Sequence, residues 1–192
     1  MDPIKEALTF DDVTLAPNYS EILPSEVKTG VKLSKHLNIS IPLLTSAMDT
    51  VTESNMAISI GKKGGIGVIH RNLSINDQIK EIRKVKAKKM LVGAAVGASI
   101  NEHIRAQKVL KENIDLIVVD TAHGHTKKVA EIIKKIKKMK PTKTALCAGN
   151  IATSEAAKFL IKQGVDIIKV GIGPGSICTT RLVAGIGVPQ LS

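Results

Sequence analysis

Apolar residues along this chain gather in short runs that recur at a regular interval. The runs begin near Ile41, Ile66, Leu91, Leu116, Thr144 and Ile167, so successive starts lie 25, 25, 25, 28 and 23 residues apart. Two of the runs, LIVVD and IIKVG, are almost continuously β-branched, as is typical of strands buried on both faces of a parallel sheet. The pattern predicts six such strands.

Segments between the runs carry helical signals. One helix is predicted after Thr50, with Glu53 three residues on as the second half of a capping box. Another is predicted from Ser74 to Lys86, and a third from Ser154 to Gln163, closed by Gly164. Regular alternation of strand and helix predicts parallel strands joined by right-handed crossovers.

Polar residues and glycines follow several strands at their carboxyl ends. They are Ser46 and Asp49, His70 to Asn72, Asp120 to His125, Gly149 and Asn150, and Gly171 to Cys178. Loops that converge on one face in this way favour a (β/α)8 TIM barrel over an open sheet. Because six βα units fit before Ser192, we predict an α/β fold in which residues 1–192 form a partial barrel, about six of the eight units.

Composition indicates a globular core. The chain has 192 residues, of which 43% are hydrophobic, enough to bury one substantial core. Its apolar stretches are shorter than the roughly 20 residues of a membrane-spanning helix, and MDPIKEALTF lacks the basic start of a signal peptide. Two cysteines, Cys147 and Cys178, make no disulfide framework. We therefore expect a cytoplasmic protein with no membrane partner.

The formal charge of +11 is concentrated in the stretch from His125 to Pro141. Within it, four apolar residues fall on one face of a helix, at i, i+3, i+4 and i+7: Val129, Ile132, Ile133 and Ile136. Six lysines occupy most of the remaining surface: Lys127, Lys128, Lys134, Lys135, Lys137 and Lys138. A solvated lysine face explains the charge better than nucleic-acid binding, because one Tyr, two Phe and no Trp supply few stacking platforms.

The chemistry is concentrated in the segment KVGIGPGSICTTR, residues 169–181. Its glycines allow a turn whose backbone groups face a ligand, as in phosphate-binding loops. Cys178 then begins a helix whose dipole favours the thiolate, which makes it the candidate nucleophile. Cys147, inside the strand TALCAG, is expected to be a small buried thiol.

This segment is similar to the active-site loop of the IMP dehydrogenase and GMP reductase family. The resemblance continues through VAGIGVPQ at 183–190, LTFDDVTLAP at 8–17, SAMDTVTE at 46–53, GGIGVIHRN at 64–72 and DTAHGH at 120–125. It covers nearly the whole chain and implies the same (β/α)8 fold. It also implies an NAD-dependent oxidation of IMP to XMP, through a thioimidate on Cys178, in guanine nucleotide biosynthesis.

The resemblance assigns expected roles to individual residues. Thr180 matches a threonine that positions the hydrolytic water, and Ser176 matches a ligand of the IMP phosphate. Ser46 and Met48 match residues that line the purine pocket, and Asn150, at a strand tip, is expected to reach the nucleotide. Asp120, Gly171, Ile172 and Gly173 match positions that contact NAD. The backbone carbonyls of Gly173, Gly175 and Cys178 match ligands of a potassium ion. Complete family members are expected to be homotetramers.

Two departures from the family pattern shape the expectations. Most members insert a regulatory Bateman module between the second helix and the third strand, whereas here only KVKAKKM, residues 84–90, bridges them. We therefore expect no inserted regulatory module. A second phosphate-binding stretch and a flap arginine that activates water are also lacking, so the isolated 192-residue chain is expected not to turn over.

Two alternatives stay open. GMP reductase shares the cysteine loop, although DTAHGH and VAGIGVPQ resemble the dehydrogenase more closely. The chain could also be a non-catalytic half-barrel that binds a nucleotide or a complementary half.

Overall fold

The computed structural model describes residues 6–175 and 178–192. They form two compact units. The larger unit runs from Thr29 to Lys169, and the smaller combines the described residues up to Lys28 with those from Val170 onward. In the smaller unit these two segments meet, since the backbone N–H of Leu191 donates to the Leu8 carbonyl at 3.2 Å.

Within the described residues, eight strands form two sheets. A short antiparallel pair consists of β1 (Val31–Lys32) and β2 (Asn38–Ile39). The main sheet is parallel and follows chain order: β3 (Leu44–Thr45), β4 (Ile66–Ile69), β5 (Val92–Val96), β6 (Leu116–Asp120), β7 (Ala145–Ile151) and β8 (Ile167–Val170). This sequential parallel order confirms the predicted α/β class, with six consecutive βα units of a (β/α)8 barrel.

Helices alternate with these strands. They are α1 (Ser54–Lys62), α2 (Ile75–Ala87), α3 (Glu102–Leu110), α4 (Lys127–Met139), α5 (Ser154–Gln163) and α6 (Thr179–Ala184). The hydroxyls of Ser74, Thr126 and Thr153 accept backbone N–H groups at the starts of α2, α4 and α5, as N-cap residues do. Gly164 ends α5 with φ +75°, which confirms the predicted glycine C-cap.

The predicted strand starts agree with the structure to within one residue at five of six positions. The prediction at Ile41 is wrong, because β3 begins at Leu44. Pro42 has no N–H for a sheet ladder, and the Leu43 N–H turns back onto the Ile41 carbonyl at 2.8 Å.

The capping box predicted at Thr50 is also wrong. Its helix starts at Ser54, with Glu53 as the N-cap residue. The preceding residues form a turn instead, in which the N–H groups of Val51 and Thr52 both donate to the Met48 carbonyl, at 3.0 and 2.9 Å.

The sheet of the larger unit is apolar on both faces. Ile117 and Val119 of β6 pack on the helix-covered face, while Leu116 and Val118 pack on the opposite face. The expectation of two buried faces is confirmed for β6 but wrong for β8. There Ile167 and Ile168 are only half-buried, because β8 lies at the end of the strand order.

Helix α4 has the two faces that its sequence predicts. Its four apolar residues are buried and its six lysines are exposed. In the part of the chain that the structure describes, each helix is too short or too polar to cross a membrane.

The bridge between α2 and β5 is shorter than the sequence suggests. Residues 84–87 belong to the last turn of α2, so the connection itself consists of residues 88–91. Lys88 and Lys89 are exposed, and Lys89 adopts a left-handed conformation with φ 58°. The side chain of Met90 packs against Gly61 of α1, where an added Cβ would lie 3.0 Å from the Met90 Cβ.

Candidate active site

A glycine loop follows β8 and leads to Cys178. Gly171 and Gly173 have φ +129° and +53°, values that L side chains rarely adopt. A Cβ added to Gly173 would lie 2.9 Å from the Ile186 carbonyl oxygen, and the Val188 N–H donates to the Ile172 carbonyl at 2.9 Å. Glycine is therefore required both by the turn and by the segment packed against it.

Cys178 is half-buried and stands at the N-cap position of α6. The pKa of its thiol lies below the ordinary value, mainly because the hydroxyl and the backbone N–H of Thr180 stabilise the thiolate. The backbone N–H and the positive charge of Arg181 act in the same direction, against partial desolvation. The thiol of Cys178 therefore stands beside the backbone donors of the first turn of α6.

Cys147 has the opposite surroundings. It lies in β7 with 7% of its surface exposed, which confirms the expected buried thiol. Burial raises the pKa of Cys147 to about 12. The two cysteines therefore differ in ionisation, and Cys178 is the one suited to nucleophilic chemistry.

Asp120 ends β6 and forms an ion pair. Its Oδ1 accepts a hydrogen bond from Lys169 Nζ at 2.7 Å. Lys169 reaches it across β7 at Gly149, where an added Cβ would lie 2.7 Å from the Lys169 Cβ. With 23% of the Asp120 side chain and 37% of the Lys169 side chain exposed, the pair fixes a carboxylate at the carboxyl end of the sheet.

Ser46 follows β3 and lines a cavity of about 280 Å³ in the larger unit. The walls are mostly apolar and include Val68, Val118 and Cys147, with Lys169 as the charged group. The Ser46 carbonyl is held by the Thr52 hydroxyl at 2.5 Å and by the Met48 N–H at 2.9 Å. Met48 itself is 54% exposed.

Asn150 lies near the end of β7, against the DTAHGH segment. Its backbone N–H donates to the Thr121 carbonyl at 2.8 Å, and its carbonyl accepts the Gly124 N–H at 2.7 Å. His125 stacks on Phe159 with ring centroids 4.7 Å apart. No cluster of three or more metal-binding side chains occurs within residues 6–175 and 178–192.

The candidate residues fall into two groups, one in each unit. The glycine loop and the start of α6, both in the smaller unit, contain six of them: Gly171, Ile172, Gly173, Gly175, Cys178 and Thr180. Ser46, Met48, Asp120 and Asn150 lie at or just beyond strand ends in the larger unit. Ser176, the expected phosphate ligand, lies outside the described residues.

The carbonyls expected to hold potassium do not fit a bound cation in this conformation. The Gly173 carbonyl accepts Arg181 Nε at 2.6 Å, and the Gly175 carbonyl accepts the Cys178 N–H at 3.1 Å. The Cys178 carbonyl accepts the Arg181 N–H at 3.0 Å as the first bond of α6. Each of the three oxygens already serves a donor of the chain.

Sequence reasoning missed the partners of the site residues. Lys169 had a signal, because a lone charge in the apolar run IIKV needs a partner if it is buried. Arg181 had a weaker one, its position three residues after Cys178. His70 is 2% exposed and places Nε2 3.3 Å from Glu53 Oε1, a contact that no local pattern indicates.

Sequential parallel βα units and a glycine loop that presents an activated thiol define a barrel-type protein equipped for covalent cysteine chemistry. The family model described as "IMP dehydrogenase / GMP reductase domain" matches residues 7–192. The chain belongs to this family.

Individual relatives agree. The chain is 45% identical to the inosine-5'-monophosphate dehydrogenase of Borreliella burgdorferi, over 98% of this chain and 59% of the relative. It is 40% identical to that of Cryptosporidium parvum, over 98% and 57%, and 33% identical to that of Staphylococcus saprophyticus, over 98% and 64%. The chain thus spans about three fifths of the length of these relatives.

Proposed function

We propose that this chain is the cysteine-bearing part of an IMP dehydrogenase, which oxidises IMP to XMP with NAD in guanine nucleotide biosynthesis. The observation that carries the proposal is the activated thiol of Cys178 at the end of a glycine loop. The names of the relatives, all inosine-5'-monophosphate dehydrogenases, support it.

The proposed reaction begins with attack of the Cys178 thiolate on C2 of IMP. This carbon is electrophilic because it lies between two ring nitrogens, and the attack forms an S–C bond. The C2 hydrogen then leaves with its electron pair, which yields a thioimidate on Cys178. NAD supplies the acceptor for that hydride. Water cleaves the thioimidate, with Thr180 orienting it, so that XMP leaves, the thiolate is restored and one proton is released.

The remaining residues are proposed to bind and orient. In the smaller unit, Ser176 would bind the IMP phosphate, and Gly171, Ile172 and Gly173 would contact NAD. In the larger unit, Ser46, Met48 and Asn150 would contact the nucleotide, and Asp120 would accept hydrogen bonds from ribose hydroxyls of NAD. The Lys169 bond supports this role, because it orients the Asp120 carboxylate in advance. No step is assigned to potassium, since its expected carbonyl ligands are already bonded.

Alkylation of Cys178 tests the proposal on the chain itself. IMP is expected to slow iodoacetamide modification of Cys178, and GMP or AMP to slow it less. With IMP and NAD together, intact mass spectrometry is expected to detect a nucleotide adduct. Cys178→Ala is the control, since it retains Cys147 and must form no adduct. Equal alkylation with and without IMP would contradict substrate binding.

GMP reductase is the second candidate, because the matching family description covers both enzymes. An adduct formed with GMP and NADPH, but not with IMP and NAD, would favour the reductase. We also propose that the complete protein is a cytoplasmic homotetramer. Analytical ultracentrifugation tests its oligomeric state.

A further inference from the structure

The side chain of Arg181 is built into the glycine loop of the smaller unit. Its Nε donates to the Gly173 carbonyl at 2.6 Å, and its Nη2 lies 3.4 Å from the Pro174 carbonyl oxygen. A Cβ added to Gly187 would lie 2.7 Å from Arg181 Cγ, and one added to Gly173 would lie 3.1 Å from the same atom. The side chain therefore runs through a slot that two glycines keep open.

This arrangement places a permanent positive charge at a backbone oxygen. The guanidinium of arginine is a planar cation whose N–H donors point at carbonyl oxygens with fixed geometry. A monovalent cation on the same oxygen would share it with this charge. Two like charges at one oxygen repel each other, and more strongly near a protein surface than in bulk water. The guanidinium and a monovalent cation therefore compete for this oxygen.

We propose that the Arg181 guanidinium takes the place of a monovalent cation at the glycine loop, so that Arg181 and potassium exclude each other at the Gly173 carbonyl. The inference rests on the proposed function only in treating this loop as the catalytic one. It assigns Arg181 a positioning role. The guanidinium of Arg181 holds the Gly173 carbonyl of the loop, and the backbone of Arg181 belongs to α6, whose N-cap residue is Cys178. Replacement of the guanidinium by an uncharged side chain frees the Gly173 carbonyl oxygen, so that the loop then requires a cation in its place.

The test follows the loop through the thiol of Cys178, without substrate. Wild type and Arg181→Met are alkylated with iodoacetamide at one fixed pH, in potassium or tetramethylammonium chloride of equal ionic strength. Potassium is expected to leave the wild-type rate unchanged and to change the Arg181→Met rate about threefold or more, because only the variant offers a vacant carbonyl. Broadening of the thallium(I) NMR signal, a direct probe of potassium-type sites, is expected with the variant alone.

Two further variants keep the outcome clear. Arg181→Lys retains the charge and is expected to respond less to potassium than Arg181→Met, which separates lost charge from a damaged loop. Arg83→Met removes an arginine of the larger unit, paired with Glu112 at 2.8 Å, and must behave like wild type. The inference is overturned if potassium changes the wild-type and Arg181→Met rates equally, or changes neither. These results do not depend on IMP, so they leave the proposed function to its own alkylation test.

Discussion

At the scale of single residues, the two cysteines show how surroundings divide identical side chains by role. Cys178 faces donors that favour the thiolate, whereas Cys147 is enclosed by apolar groups that favour the thiol. The two thiols differ because of their neighbours. Those of Cys178 are close to it in the sequence, whereas those of Cys147 are far from it in the sequence. Thr180 is two residues from Cys178, while the wall around Cys147 comes from several strands.

Thr180→Val should make Cys178 less reactive. The hydroxyl of Thr180 is the largest cause of the lowered pKa of Cys178, so its loss raises that pKa and moves the alkylation profile to higher pH. At neutral pH the rate is expected to fall by about threefold to tenfold, in proportion to the thiolate fraction. Thr180→Ser retains the hydroxyl and should keep most of the rate. An unchanged midpoint in the pH-rate profile of Thr180→Val would contradict this assignment.

At the scale of elements, the contact between α1 and β4 depends on a missing side chain. A Cβ added to Gly67 would lie 2.5 Å from the Cα and Cβ of Ala57, where backbone leaves no room to relax. Gly67→Ala is therefore expected to lower the free energy of unfolding by about 2–3 kcal/mol through overpacking. Urea unfolding measures the change.

A matched substitution separates close packing from glycine content. Gly30→Ala places its Cβ no nearer than 3.5 Å to another group, which is ordinary van der Waals contact. It should change stability by much less than Gly67→Ala, about 1 kcal/mol or less. Similar losses in both variants would argue against the close α1–β4 contact.

The elements were largely predictable because their signals are local. Short apolar runs located five strands, and caps such as Gly164 located helix ends. The failures have local causes as well, since Pro42 delays β3. Of the site, the glycines and Cys178 were evident from the sequence, but the Lys169–Asp120 pair joins residues 49 positions apart. Such a contact exists only once the sheet has set β6 and β8 in order.

At the scale of the whole molecule, one polar network ties four elements of the larger unit together. Gln78 of α2 is fully buried, and its Nε2 donates to the carbonyls of Ile69 and Ala95 at 3.2 and 2.9 Å. Its Oε1 accepts Arg105 Nη1 of α3 at 2.9 Å, and Arg105 Nη2 bonds the Leu73 carbonyl at 3.0 Å. Gln78 thus supplies side-chain donors to backbone carbonyls of both β4 and β5.

Gln78→Leu is expected to destabilise the unit by about 3 kcal/mol, because two buried carbonyls and a guanidinium lose partners. Gln107→Leu is the matched control, since Gln107 lies on the exposed side of α3 and should be nearly neutral. Chemical unfolding followed by circular dichroism gives both values. Equal stability of the two variants would show that the network contributes little.

The short turn between α2 and β5 has a practical consequence. Lys88 and Lys89 are exposed there, and the turn precedes the amino end of β5. Because the strands are parallel, Asp120 and Asn150 lie at the opposite end of the sheet, where the strands have their carboxyl ends. A fluorescent protein or an affinity tag inserted between these two lysines would lie at the amino ends of the strands, away from Asp120 and Asn150. This turn is therefore the place to attach a reporter when the residues at the carboxyl ends are to be studied undisturbed.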